Sequence, residues 1–435
     1  MSVSLELRLG QYVDRVGDRL ASWGAEDVLA RVWAKDHTVW SKEPAPELTD
    51  RLGWLDLPAR LAGLIPDLTA FRDELIADGI EDVVVLGMGG SSLAPEVFFK
   101  TFGGSPRLSV LDSTHPAAVV GLETGIDLAS TVFIVASKSG TTIEPLSFME
   151  YFWDRVAAVT DTPGRHFVAT TDPGSHLEAI AKERGFRRCF LASPEVGGRY
   201  SALTEFGMVP AAAIGTDLAA LQASALKEQD AHGPDAMVAT ASGCRLGAAM
   251  GELALAGRDK VTFVTTPELS ALPAWIEQLI AESTGKDDKG IVPIGGEAIG
   301  PADLYGDDRF FVVVQLADAD PIVVDQFTDH PTALMTLDST DDLAAAMYIF
   351  EMATAVAGKA IGIQPFDQPD VQVAKVLAKD AMAGTLDLSG VVEIDALADD
   401  LTAQVDEWLA GAEAGDYVGI HAFIQPTAEA AAVLD

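Results

Sequence analysis

Short apolar runs alternate with helical stretches along most of this chain, and that rhythm limits what it can fold into. The first run is Asp82-Val83-Val84-Val85-Leu86, followed by LAPEVFFKTF, whose spacing predicts a helix. Leu108-Ser109-Val110-Leu111, Thr131-Val132-Phe133-Ile134-Val135-Ala136 and His166-Phe167-Val168-Ala169-Thr170-Thr171 follow. Helical patterns such as IEPLSFMEYFWDRVAAV separate them. Unbroken apolar runs of this length suit strands buried on both faces. Strands alternating with helices make a parallel sheet covered on both sides. The rhythm restarts after residue 220, with candidate strands at 260–265, 290–294, 310–314 and 320–324. A long helix, DDLAAAMYIFEMATAVAGKAIG, follows. Residues 1 to 60 read as helices, because RLGQYVDRVGDRLASW spaces its apolar residues by three and four; Trp33, Trp40 and Trp54 read as packing residues. The expected class is α/β: two doubly wound parallel-sheet domains, each a three-layer α-β-α unit, with an N-terminal helical segment. The expected boundaries are 1–57 for that segment, 58–220 for the first domain and 221–435 for the second.

Charge narrows the partners. Lys and Arg total 29 against 66 Asp and Glu, a net charge of -37. Nucleic-acid backbones need clustered Lys and Arg, so no nucleic acid is expected. An anionic ligand would need a locally positive pocket against this field. Two cysteines cannot make a disulfide framework, which fits a reducing cytoplasm. The N-terminus lacks the apolar core of a signal peptide, and no run of about 18 apolar residues is present, so no membrane partner is expected.

Ligands of doubly wound sheets bind beyond the carboxyl ends of the strands. Two such positions carry small-residue motifs. Gly87-Met88-Gly89-Gly90-Ser91-Ser92 lets backbone approach an anion before a helix N-terminus, although a tight strand-to-helix turn would also use these glycines. It departs from the dinucleotide fingerprint at Ser92, where a third glycine belongs. Ser137-Lys138-Ser139-Gly140-Thr141-Thr142 follows an apolar strand and opens a helix at Ile143. Four hydroxyls, one ammonium and the helix amides converge there, which suits a phosphomonoester. Capping needs only one such hydroxyl.

Together these motifs resemble the SIS (sugar isomerase) fold, so the two domains are expected to be SIS-type. Val196-Gly197-Gly198-Arg199-Tyr200-Ser201, Ala281-Glu282-Ser283-Thr284-Gly285-Lys286 and Gln364-Pro365-Phe366-Asp367-Gln368-Pro369-Asp370-Val371 with Lys375 follow in order. They resemble successive signatures of the glucose-6-phosphate isomerase family, in the version found in bacterial transaldolase–isomerase fusions. The likeness runs from residue 55 to 380, and no transaldolase segment is visible. It implies reversible isomerisation of glucose 6-phosphate and fructose 6-phosphate, in glycolysis and gluconeogenesis, without metal or redox cofactor. Mannose 6-phosphate is a further candidate substrate. It also implies a homodimer. By the same resemblance Glu282 is the base for a cis-enediol pathway, one carboxylate moving a proton between C1 and C2. Arg199 stabilises the enediolate charge. Lys375 serves in ring opening and Gln368 lines the site. Gly90 and Ser91 contact the sugar, and Ser137, Lys138, Ser139 and Thr142 hold the phosphate.

The family's QHSxxQL-like helix, with its ring-opening histidine, is missing; the interval reads GPADLYGDDRFFVVVQL. Only His330 falls between Glu282 and Lys375, as a replacement acid/base or as part of an Asp329-His330-Pro331 cap. His115 is a second candidate. Asp416 to Ile424 reads as a strand, and a short helical pattern from Pro426 stops at Asp435. The second domain is therefore expected to stop short at its C-terminus, where fusion-type relatives continue. A non-catalytic phosphosugar-binding protein, or an inactive truncated isomerase, is the alternative. A nucleotide-dependent oxidoreductase rests on Gly87-Met88-Gly89 alone.

Overall fold

The computed structural model describes residues 3–327, 329–387, 389, 400–413, 416, 418–422 and 427. It divides into two units between Asp367 and Gln368. The strands of the first unit are, in chain order, β1 (Val3–Arg8), β2 (Asp82–Leu86), β3 (Arg107–Leu111), β4 (Thr131–Ala136), β5 (Phe167–Thr171), β6 (Arg188–Leu191), β7 (Lys260–Thr265), β8 (Val292–Ile294), β9 (Arg309–Leu316) and β10 (Thr332–Leu337).

One sheet has the order β3-β2-β4-β5-β6, parallel throughout. Every residue of β2 and β4 is buried, as continuous apolar runs require. The chain leaves β2 for β3 on one side and returns to β4 on the other. That reversal opens a crevice beyond the carboxyl ends of β2 and β4. Gly87–Ser92 and Ser137–Thr142 are the direct continuations of those two strands, so the order of the sheet places both motifs at its switch point.

The other sheet has the order β1-β10-β9-β7-β8. Strands β7 to β10 are parallel, and β1 runs antiparallel on β10. Here the N-terminus differs from expectation: residues 3–8 form an edge strand, and helices begin later, at Val13–Ala25 and Val28–Trp33. Val3 and Leu5 are buried while Ser4, Glu6 and Arg8 are exposed, the period-two pattern of a strand with one covered face. A second correction concerns residues 320–324. They form no strand, and a 3-10 turn occupies Val324–Phe327. Pro321 withholds a ladder donor, and the acidic turn before it breaks the run. The sheet takes Thr332–Leu337 instead.

The helix Leu343–Ile361 is apolar on nearly every side and buried along almost its whole length, as the central helix of a core is. It is also long and apolar enough to cross a membrane by composition. The helix Ser242–Leu255 lies close against it. A Cβ at Gly247 would stand 2.4 Å from the Ala353 carbonyl oxygen, and one at Gly251 2.3 Å from the Ala360 Cβ. Trp54 is fully buried. Trp33 and Trp40 donate to the carbonyls of His232 and Ala355 at 2.7 and 2.8 Å, which fixes the N-terminal segment.

The second unit contains the helices Pro369–Met382 and Leu401–Leu409. Of the strand expected from Asp416 to Ile424, the described residues 416 and 418–422 adopt no regular structure. The rest of that segment, and the pattern from Pro426 to Asp435 apart from Thr427, lies outside the described residues.

Candidate functional site

The loop after β2 is built by close backbone approach. A Cβ on Gly90 would fall 2.2 Å from the Gly198 carbonyl oxygen, so only glycine lets this loop lie on the turn that carries Arg199. Gly89, at φ +55, faces the side-chain amide of Gln278, which a Cβ would approach to 2.7 Å. Ser92, the departure from the dinucleotide fingerprint, donates from Oγ to the Gly89 carbonyl at 3.0 Å and closes the turn.

Arg199 sits in the 3-10 turn Gly198–Tyr200 and is 2 % exposed. Its Nε donates to Ser283 Oγ at 2.7 Å. Nη2 donates to the carbonyls of Pro365 and Asp367 at 2.8 and 3.0 Å. Nη1 lies 3.3 Å from Glu282 Oε2. A guanidinium fixed in three directions is a rigid electrostatic partner for whatever it faces.

Glu282 occupies the last turn of the helix Leu272–Thr284. Its Oε1 accepts from Gln278 Nε2 at 3.1 Å, and its side chain is 26 % exposed. The carboxylate is thus held from two sides and open on the remaining one, the arrangement a proton-transfer group needs. Gln278 was not singled out from the sequence. Its position four residues before Glu282, on the same helical face, was the available signal. Its Oε1 is buried without a hydrogen-bond partner among the described residues, an acceptor beside the carboxylate.

The loop after β4 is braced from β5. Thr171 Oγ1 donates to the Ser137 carbonyl at 2.6 Å, and the Asp172 amide to the Lys138 carbonyl at 3.2 Å. Ser137 Oγ donates to Thr142 Oγ1 at 3.2 Å, and the Ser139 and Thr141 hydroxyls lie 2.9 Å apart. Thr142 precedes the helix Ile143–Ala157 without capping it through its side chain, so its hydroxyl stays with the loop. Hydroxyls and helix N-terminal amides are therefore presented together.

Lys138 departs from expectation. Its Nζ pairs with Asp172 at 2.7 Å and reaches the Ser193 carbonyl at 3.4 Å; it makes no hydrogen bond to the loop hydroxyls. Burial pulls its ammonium below the usual range and pushes the Asp172 carboxyl above its own, and their contact opposes both shifts. A partly buried amine needs such a partner, so the ammonium serves as a strut under the loop.

Neither histidine joins the cluster. His330 is buried just before β10, with Nδ1 3.4 Å from Arg258 Nη1 and Nε2 3.3 Å from the Ala302 carbonyl. Its ring packs against Phe311 and Tyr305. These partners, at the amino end of the strand, commit both nitrogens to structure, which corrects the acid/base expectation. His115 accepts the Ala117 amide at 3.2 Å as the cap of the helix Pro116–Thr124. In the second unit, Gln368 is the residue preceding the helix Pro369–Met382, and Lys375 is exposed on it.

Comparison with known proteins follows the same line. Residues 74–296 match the family model described as phosphoglucose isomerase. The chain is 30 % identical over 393 residues to the glucose-6-phosphate isomerase of Rubrobacter xylanophilus, covering 75 % of this chain and 88 % of that protein. A hypothetical protein from Thermus thermophilus superposes with a TM-score of 0.72 at 26 % identity, over 88 % of this chain and all of the other. A glucose-6-phosphate isomerase from Chlamydia trachomatis shares the fold, with a TM-score of 0.64 at 18 % identity over 88 % of this chain and 81 % of the other.

Proposed function

The chain belongs to the phosphoglucose isomerase family, and from that premise we propose how its residues perform the reaction. The reaction is the reversible isomerisation of glucose 6-phosphate and fructose 6-phosphate. The observation that carries the assignment of residues is Glu282, held between Gln278 and Arg199 and open on its remaining side.

The hydroxyls of Ser137, Ser139 and Thr142, with the first amides of the helix Ile143–Ala157, receive the phosphate. Gly90 and Ser91, on the neighbouring strand end, carry the sugar chain toward Glu282. The carboxylate takes the proton from C2 of the open-chain aldose and returns it to C1 of the cis-enediol on the same face, while the hydroxyl proton passes from O2 to O1. Arg199 faces the negative charge that develops on the enediolate oxygens. Gln368 and Lys375 enter through family likeness, Lys375 at ring opening. Mannose 6-phosphate differs at C2, the carbon that the base addresses, and belongs to the same proposal. So do a homodimer and a cytoplasmic location, both on family grounds. A coupled assay for fructose 6-phosphate formation tests the reading: purified protein turns over well above a Glu282→Gln control, and equal rates would remove it.

Two smaller effects follow. Gly140 has φ +65, and a Cβ there would fall 2.5 Å from the Leu177 amide nitrogen. Gly140→Ala therefore displaces the phosphate loop and raises KM about tenfold with kcat much less affected, the mark of lost uniform binding. Steady-state kinetics with glucose 6-phosphate checks it. His330→Asn changes kcat by less than about threefold while costing about 1–3 kcal/mol of stability from the buried partners it abandons. A kcat measurement beside a urea melt separates the two.

A further inference from the structure

A cavity of about 580 Å³ opens where β1 stops and β10 begins, and Arg8, Tyr12, Arg258, Phe327, Asp329 and His330 are among its walls. This is the amino end of the parallel strands β7, β9 and β10, and none of the walls belongs to the site around Glu282. The volume lies within the range of small-molecule pockets. Arg258, in the turn before β7, is 7 % exposed. Its Nε donates to Tyr12 Oη at 3.0 Å; Nη1 donates to the Arg309 carbonyl at 3.0 Å and reaches His330 Nδ1 at 3.4 Å. Nη2 has a weaker neighbour. Among the described residues the one carboxylate within ion-pair distance of Arg258 is Asp307, at 3.5 Å and fully exposed. Such a contact offsets little of the cost of burying a guanidinium. Tyr12 Oη accepts from Arg258 and keeps its own hydrogen to give. The same contact lowers the Tyr12 pKa, which strengthens the hydroxyl as a donor. Arg8, at the end of β1, pairs through Nε with Glu6 at 2.8 Å; both side chains are about half exposed, so the pair exchanges readily with water. Two arginines thus line the cavity with one acidic residue, Asp329, in a chain of net charge -37.

We propose that this cavity is a second anion site, taking a phosphate group carried free or on a small organic molecule, with Arg258 and Arg8 as its cations and the Tyr12 hydroxyl as a neutral donor. The three come from separate segments: the end of β1, the 3-10 turn Gly10–Tyr12 and the turn before β7. A tetrahedral oxyanion offers oxygens in several directions, whereas a carboxylate offers them in one plane, so donors from three segments suit phosphate. The local positive charge opposes the repulsion that an anion meets from the rest of the chain. Leu9, Phe327 and Pro331 add apolar wall that an organic part can cover.

Isothermal titration of the full chain with inorganic phosphate tests this, at constant ionic strength and in a Ser139→Asp background, whose added carboxylate keeps phosphate from the loop after β4. One phosphate binds per chain with a Kd of about 0.1–1 mM. Arg258→Met in that background weakens binding about 10- to 100-fold, the loss of one or two charge-assisted hydrogen bonds. Arg8→Gln and Tyr12→Phe, which disturb no buried charge, each weaken it about three- to tenfold. They carry the test should Arg258→Met not fold. Acetate at the same ionic strength binds at least about tenfold more weakly than phosphate. Phenyl phosphate separates the two sources of the group: tighter binding than inorganic phosphate assigns the site to an organic phosphate, and binding that is no tighter assigns it to the free ion. No saturable binding by about 20 mM phosphate, twenty times the weakest Kd expected, overturns the proposal. So does binding that Arg258→Met, Arg8→Gln and Tyr12→Phe all leave unchanged, or acetate bound as tightly as phosphate.

Discussion

Glu282→Gln lowers kcat by about 10³- to 10⁴-fold, the upper part of what a positioned proton-transfer group contributes. The fold and the binding of a sugar phosphate survive. Glutamine keeps the shape of the side chain and an oxygen that can accept from Gln278 Nε2. The position is partly exposed, so no cavity forms, and the buried Arg199 guanidinium keeps Ser283 and the carbonyls of Pro365 and Asp367 as acceptors. What disappears is the capacity to take a proton. The coupled assay reads kcat, and titration with sorbitol 6-phosphate reads binding, with Kd expected within about threefold because the amide loses only transition-state interactions. A surface glutamate at a helix end would instead give a variant with unchanged turnover.

Arg199→Lys produces the second large effect, in rate and stability together. The guanidinium joins Ser283, Glu282 and the carbonyls of Pro365 and Asp367. One ammonium cannot reach all of these, since its donors radiate from a single atom. Each buried carbonyl left without a partner costs about 1–3 kcal/mol, so a loss of about 2–4 kcal/mol is expected in urea unfolding. The rate falls about 10²- to 10³-fold, as when a preorganised donor is removed from a developing oxyanion. In the double variant with Glu282→Gln the two losses do not multiply, because both residues act on one proton transfer.

The two strand ends that carry the small-residue motifs were legible because β2 and β4 are apolar runs that lead directly into Gly87–Ser92 and Ser137–Thr142. Their neighbours were not, because the crossovers that put β2 between β3 and β4 are decided by packing across the whole sheet. Strand β1 was masked by the strong helical period that begins a few residues later. Strand β10 reads TALMTL, where Ala, Leu and Met favour helix, while the β-branched Ile322-Val323-Val324 nearby drew the assignment to itself. Within the site, Glu282 and Arg199 stand out by motif, yet their contact spans 83 positions of sequence. The pairing of Lys138 with Asp172 spans 34, and no local pattern announces it. His330 was drawn in only as the single histidine in its interval, and its buried partners are a property of the tertiary structure.

Proton transfer between C1 and C2 through Glu282 leaves an isotopic record. Incubation of glucose 6-phosphate with the protein in deuterium oxide, followed by proton NMR, addresses it directly. A carboxylic acid formed during each turnover exchanges with solvent, so the wild-type protein places deuterium at C2 of the aldose and C1 of the ketose. Glu282→Gln, although it binds the sugar phosphate, is expected to leave those positions unlabelled over the same time. Deuterium entering at the wild-type rate in Glu282→Gln would contradict the account.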